Sequence, residues 1–216
     1  MNILNTIRLT LTDLRQTVHV RYGGGVRGYA EFFYISLLRT NTFIIFVTKS
    51  TGCSVYLPDP ESLSFTRNDH KRLNEFRQSR DLPKEFYCDQ THDAHDFILG
   101  FWEGEVAYIH WIFHENAKTR FLKIGEDCAE IGYMVTLPEF RGNKICSHAL
   151  THTVQALCSE GVRSIFCVVH DKNIASIKAV KRAGFRESGK SRTLGPFNMR
   201  HDVTSEAVQR SRPSAQ

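Results

Sequence analysis

No stretch of this sequence approaches the ~18 consecutive apolar residues that a membrane-spanning helix needs. The six cysteines, Cys53, Cys88, Cys128, Cys146, Cys158 and Cys167, include no C-x-x-C pair, which argues against a structural zinc site. The opening segment, MNILNTIRLTLTDLRQ, is polar throughout and has no apolar core of signal-peptide length. The expectation is therefore a soluble, cytoplasmic protein with reduced thiols and no membrane partner. A basic arm is also missing. The 28 Lys and Arg against 23 Asp and Glu give a net charge of +5, spread along the chain, which suits an anionic ligand without demanding nucleic acid. GGGVRG matches G-x-G-x-x-G at Gly23, Gly25 and Gly28, but residues 41–50 hold no acid and RQTVHVRY is a poor core strand. The match is therefore read as a turn and not as a dinucleotide fingerprint. No internal repeat is evident.

What is present is ordinary for a globular chain of one domain, or one domain with an extension: 216 residues, 41% hydrophobic and 24% charged. Residues 1–41 stand apart as an extension. Within them VRGYAEFFYISLL places Val26, Tyr29, Phe33 and Leu37 on one helical face, expected to pack on its own domain. TFIIFVT (42–48) reads as a strand, and the polar stretch 58–83 as one or two surface helices. DFILGFWEGEVAYIHWIFHEN reads as a hairpin turning at Glu103-Gly104, and AEIGYMVTL as a further strand closed by Pro138. Ile145, Ala149, Leu150, Val154 and Leu157 have helical spacing, and Gly161 stops that helix. SIFCVV (164–169) reads as a strand buried on both faces. Asn173 caps a second helix that ends at Gly184, and short strands follow near Phe185 and Phe197. The tail after His201 reads as polar and mobile. This order predicts an α/β fold with a mixed central sheet, whose ligand loop lies between a strand end and a helix start.

That loop is TLPEFRGNKICSHAL, Thr136 to Leu150. Amides at a helix start cradle phosphate groups, and glycine normally lines such loops because it lets the backbone approach the anion. Here Lys144 and Cys146 stand where small residues are expected.

The segment AEIGYMVTLPEFRGNKICSHAL followed by NIASIKAVKRAGF resembles the GNAT superfamily of acyl-CoA-dependent N-acyltransferases, over roughly residues 42–200, with 201–216 as a tail. The family's loop reads Arg/Gln-x-x-Gly-x-Gly/Ala. This chain has Arg141-Gly142-Asn143-Lys144-Ile145-Cys146, so the arginine is kept and both small positions are changed. The resemblance implies that this loop holds the diphosphate of acetyl-CoA, with Ser147 offering a hydroxyl or a cap. It implies that Glu130 is the general base for a primary amine, because an ammonium cannot attack a thioester. Glu130 as a strand residue paired with a lysine is the plainer alternative. It further implies that Met134 and Val135 flank a bulge along the pantetheine arm, with the Val135 amide aimed at the thioester oxygen. Asn173 resembles the family's pantetheine contact. The tyrosine often found seven residues later, as acid for the departing thiol, is Val180 here.

The reading is thus an acetyltransferase acting by direct transfer in a ternary complex, with no covalent relay and no metal. The acceptor, a small-molecule or peptide amine, is left open. So is the role of residues 1–41, which are set against the acceptor side or a homodimer contact. Two other classes stand beside it: a catalytically silent acyl-CoA-binding module, and a nucleic-acid-binding protein suggested by KAVKRAGFRESGKSR, a stretch better read as a solvated helix face. His148 and His152, and His110 and His114, have metal-compatible spacing but bring no third ligand. They read as surface or packed histidines, except that the resemblance implies His110 lies on the strand pair that walls the family's acceptor site. Trp102 and Trp111 read as core.

Overall fold

The computed structural model describes residues 25–34, 40–50, 60–92, 94–117, 119–194, 197–198 and 201–203. Gly23, Leu37, Cys53 and the tail 204–216, all used in the sequence reading, lie outside the described residues. The chain divides into two compact units, residues 1–42 with 192–199 and residues 43–191 with 200–216. In the smaller unit the helix α1, Gly25–Phe33, forms as the spacing predicts. Its Val26 is 89% exposed and its Phe33 48%, and Tyr29 on the same face is half-buried. Thr193 and Leu194 pair antiparallel with Asn198 and Phe197 of the two-residue strand β9 (Phe197–Asn198).

The larger unit is built on a mixed sheet. Its strands are β1 (Thr40–Lys49, in this unit from Phe43), β2 (Leu63–Arg67), β3 (Asp96–Trp102), β4 (Glu105–Phe113), β6 (Cys128–Thr136), β7 (Ser164–His170) and β8 (Arg186–Leu194, in this unit as far as Ser191). They lie in the order β2-β3-β4-β6-β7-β1-β8. Two short strands, β5 (Leu122–Ile124) and β10 (His201–Val203), pair parallel in a sheet of their own. The start of the expected mobile tail is therefore ordered, with Val203 buried. The polar stretch expected to hold only helices also carries β2, whose Leu63 is buried, ahead of the helix α2 (His70–Ser79). A 3₁₀ turn (Lys84–Tyr87) and the one-turn helix α3 (Cys88–Thr91) follow.

Alternation along each strand builds one core on each face of the sheet. Phe97, Leu99, Trp111, Cys128 and Phe166 face α2 and the 3₁₀ turn through Leu73 and Phe86. Ala129, Ile131, Ile165 and Cys167 lie under the helix α4 (Ile145–Ser159) and the helix α5 (Ile174–Arg182), through Leu150, Val154, Leu157 and Val180. The predicted helical stripe of α4 is buried throughout. Gly161 and Gly184 end the two helices with φ of +91° and +87°, left-handed conformations that glycine takes without steric cost.

The feature that positions the site is a parting of two strands. β6 and β7 run parallel and pair only from Cys128↔Ser164 to Ile131↔Cys167. Beyond that point β6 stays on β4 and β7 stays on β1, as far as Thr136 and His170. A gap therefore opens between the C-terminal halves of two central strands, directly ahead of α4.

Candidate active site

The loop after β6 begins with a 3₁₀ turn, Pro138–Phe140, and crosses into α4 through Gly142 at φ +94° and Lys144 at φ +58°. Lys144 is the N-cap of α4 in a left-handed conformation, and no side chain caps the helix. A lysine thus occupies a backbone shape that glycine adopts readily and other residues adopt at a cost of order 1 kcal/mol or more. The Ser147 and His148 amides bond the Lys144 carbonyl. The amides of Ile145 and Cys146 precede any intrahelical acceptor and have no partner among the described residues.

These amides border a cleft of about 690 Å³. Met134, Val135, Arg141, Gly142, Lys144, Ile145, Cys146, Ser147 and Asn173 all line it, so the structure gathers nearly every residue expected to bind the cofactor. Asn143 does not line it, and its Nδ2 instead donates to the Phe140 carbonyl at 3.3 Å. Asn173 caps α5 by accepting from the Ser176 amide at 3.2 Å, which leaves its side-chain NH₂ directed elsewhere. Tyr108, Thr136, Lys178 and Arg182 also line the cleft and were not singled out in the sequence. Lys178 and Arg182 sit in the basic stretch read as a solvated face, and nothing local to the sequence marks Tyr108.

Opposite His110, β6 carries one residue more than β4: Ile109 pairs with Val135 and Trp111 with Gly132, and Tyr133 lies at φ +51°. This is a β-bulge, formed by Tyr133 and Met134 between Gly132 and Val135, so Met134 lies within it and, of the two residues expected to flank it, only Val135 does. The direction of the amides beyond it differs from the expectation. The Leu137 amide donates to the Ala107 carbonyl at 2.9 Å, and hydrogen-bonded pairs recur every second residue of an antiparallel ladder. The Val135 amide therefore faces Ile109 on β4 and not the gap. The amides on the gap side are those of Met134 and Thr136.

Glu130 lies on β6 between Phe113 of β4 and Phe166 of β7, on the sheet face away from α4 and α5. It does not line the cleft. The residue is 6% exposed, and its Oε2 has no hydrogen-bond partner. Burial pushes its carboxyl up to about 7, against a weaker opposing hydrogen bond from Thr119. No lysine pairs with it among the described residues, so the plainer alternative does not apply. Beside it Tyr133 stacks on His92 at 4.6 Å, and burial raises the Tyr133 hydroxyl to about 12.

His110 is fully buried between β4 and α4 within a chain of polar contacts. Thr153 gives its proton to the Ala149 carbonyl at 2.9 Å, so the His110 Nε2–H donates to Thr153 Oγ1 at 3.0 Å. Burial lowers the imidazole to about 3, so it is neutral and its Nδ1 accepts from the Tyr108 hydroxyl at 3.0 Å. Tyr108 Oη in turn lies 3.6 Å from Cys146 Sγ, and burial lifts that thiol to about 11. The cysteine in the second small position is thereby held as a protonated thiol at the cleft wall. His114 lies beyond the strand and meets Asp96 at 2.7 Å, and Trp111 is core, its indole donating to the Glu85 carbonyl at 2.7 Å.

The fold is that of known acyltransferases. A GCN5-related glucosamine N-acetyltransferase region of a fungal multi-domain GH3 beta-N-acetylglucosaminidase superposes with a TM-score of 0.56 at 18% identity, over 77% of this chain and 22% of that one. A Drosophila protein superposes with a TM-score of 0.51 at 12% identity, over 76% of this chain and 53% of that one. A GNAT-family acetyltransferase from Colwellia psychrerythraea gives 0.49 at 15% identity, over 74% and 58%. This chain thus spans less than two thirds of each of these structures, and at such identities the likeness is one of fold. No curated protein matches the sequence. The model of the acetyltransferase (GNAT) family matches residues 63–185, which run from β2 through α5 and hold the parted strands, the loop and the cleft: the chain belongs to that family.

Proposed function

We propose that this chain is an N-acyltransferase that moves an acetyl group from acetyl-CoA to a primary amine by direct attack. The observation that carries this reading is the donor set of the cleft. Four cations, Arg141, Lys144, Lys178 and Arg182, line it with no carboxylate among them, beside unpartnered amides at the start of α4. That set fits a polyphosphorylated ligand, and the gap between β6 and β7 fits an extended arm. Bound there, acetyl-CoA supplies the acetyl group in activated form, as a thioester.

The chain's own residues do the rest. The loop amides and Lys144 hold the diphosphate, and Asn173 offers its NH₂ to the arm. The Met134 amide on the gap side serves as the donor to developing negative charge, in place of Val135. Glu130 takes a proton from the amine, which approaches on the face away from α4 and α5. A carboxyl near 7 is matched to that task at neutral pH. Cys146 is kept as a thiol and is a poor nucleophile, which favours direct transfer over a covalent relay.

One observation favours a module that binds acyl-CoA without turning it over. Val180 is fully buried and leaves no acid at that position of α5. Thiol release across a panel of primary amines separates the two readings. Turnover with at least one amine, rising with pH through about 7, is the expected result. Binding of acetyl-CoA without release for any amine establishes the silent module instead.

A further inference from the structure

We propose that the acceptor is a primary amine borne on an aromatic body with no second positive charge, and that it reaches Glu130 across Gly132. This rests on the acyltransferase reading above, with Glu130 as base, and names the acceptor class for that same site. In the transfer the amine nitrogen bonds the acetyl carbon as the C–S bond breaks. Glu130 takes the surplus amine proton, and the departing thiolate gains one from solvent.

Space beside the carboxyl is the first ground. Gly132 is the first residue of β6 past its last pairing with β7, so it stands where the gap begins. It is half-buried, whereas Glu130 is buried. A Cβ at Gly132 would lie 4.0 Å from Glu130 Oε1 and 3.5 Å from Phe113 Cε2, ordinary contacts that the fold can take without strain. The missing side chain therefore leaves volume free next to an oxygen that an amine must approach to ~3 Å. The walls are the second ground. Tyr133, next along β6, is half-buried and packs on Phe113 and on the core of this face. Thr119 bonds both Glu130 and the Leu122 carbonyl, which brings the segment carrying Phe121 beside the base. Phe121 meets the half-buried Phe43 of β1 with ring centroids 4.4 Å apart, and Phe43 meets His170 of β7 at 5.0 Å. Aromatic side chains left part-exposed around a carboxyl suit an aromatic ring, edge-on or offset. Charge is the third ground. Arg120 lies over the Phe43 and Phe121 rings at 5.6 and 4.9 Å, so an acceptor that follows those rings would bring a second ammonium against a guanidinium. Glu85 raises the Tyr133 hydroxyl but does not act on Glu130, which leaves one carboxyl for one amine.

The test measures thiol release from acetyl-CoA with 2-phenylethylamine, n-hexylamine and 1,6-diaminohexane, as kcat/KM referred to the neutral fraction of each amine. The wild type is expected to favour 2-phenylethylamine over n-hexylamine by ~2- to 10-fold, the effect of one aromatic contact. It should favour n-hexylamine over the diamine several-fold at low salt, with the difference narrowing as salt is added. Gly132→Ala should keep its urea midpoint and its melting shift with acetyl-CoA, and lose ~10-fold or more in kcat/KM on 2-phenylethylamine. Arg120→Gln should narrow the difference between n-hexylamine and the diamine. A diamine rate equal to or above that of 2-phenylethylamine overturns the acceptor class and leaves the acyltransferase reading intact. Wild-type kinetics in Gly132→Ala overturn the route across Gly132. Release with none of these three amines overturns this inference, and release absent across the whole amine panel overturns the acyltransferase reading as well.

Discussion

Glu130 and Lys144 are each set against a local rule. Glu130 is a carboxyl in an apolar wall, with one oxygen unpartnered. Its folded pKa, about 7, lies above the usual 4.5. Between those values the folded state holds a proton that the unfolded state has released. Its contribution to stability is therefore present below pH 4.5 and lost as pH rises through about 7. At about 1.4 kcal/mol per pKa unit the loss amounts to a few kcal/mol at most. Glu130→Gln should accordingly melt higher than wild type at pH 8, with the difference closing toward pH 5, while amine acetylation falls by ~10²–10⁴. A variant with unchanged turnover at neutral pH would move the base role to water or another group. Lys144 is left-handed, so Lys144→Gly should relieve strain and raise stability by ~1 kcal/mol, whereas Lys144→Ala keeps the strain and removes the charge. Acetyl-CoA affinity should drop several-fold in Lys144→Ala, less in Lys144→Gly, and the Ala defect should narrow at high salt. Equal wild-type and Lys144→Ala affinities at low salt would show that the side chain takes no part.

At the scale of elements, what was legible depended on whether the signal was local. α4 and α5 announce themselves through apolar spacing, the Asn173 cap and the glycines that end them. The β3–β4 hairpin turns at Glu103-Gly104 as read, with φ of +52° and +84°. β2 was masked by its setting, because Leu63 and Phe65 alternate with Ser64 and Thr66 inside a charged stretch and pair on only one side, with β3. β5 and β10 could not be seen at all: Leu122 pairs with His201 across the chain, and no short window carries a nonlocal parallel pairing. The direction of the Val135 amide was hidden for a related reason, since it follows from the register of β6 on β4 and from the Leu137–Ala107 bond. The register also explains why β3 needs Gly100 opposite Tyr108. A Cβ there would lie 3.1 Å from Tyr108 Cβ and 3.2 Å from Phe65 Cε1, and the first of these atoms is fixed by the backbone. Gly100→Ala should therefore destabilise the chain by ~1–3 kcal/mol, seen as a lower urea midpoint with an unchanged slope. An unshifted midpoint would mean that β3 and β4 yield to the methyl without cost.

Over the whole molecule, two carboxyls give stability opposite slopes with pH, and ligand binding adds to both. Burial alone would push Asp96 up, but the Arg67 and His114 hydrogen bonds overcome it and hold the carboxyl well below its usual range. Arg67 meets Asp96 through two bonds, at 2.8 and 2.6 Å, and reaches Glu160 just past α4, so the clamp joins β2, β3 and the end of that helix. A depressed carboxylate contributes stability that is present above the unfolded value of 3.8 and is lost as pH falls below it. With Glu130 acting in the other direction, the melting temperature should pass through a maximum between these ranges, in mildly acidic solution. Acetyl-CoA should raise the curve across the pH range in which its phosphates stay charged, because it binds the folded chain alone. At ~100 times its dissociation constant the gain is about 2.7 kcal/mol, or roughly 5–10 °C for a chain of this size. The shift should shrink as salt is added, since the cleft meets the ligand with four cations and no acid. A melting temperature unmoved by saturating acetyl-CoA at low salt would sink the acyltransferase reading. A shift that salt leaves unchanged would keep ligand binding and remove the role given to Arg141, Lys144, Lys178 and Arg182.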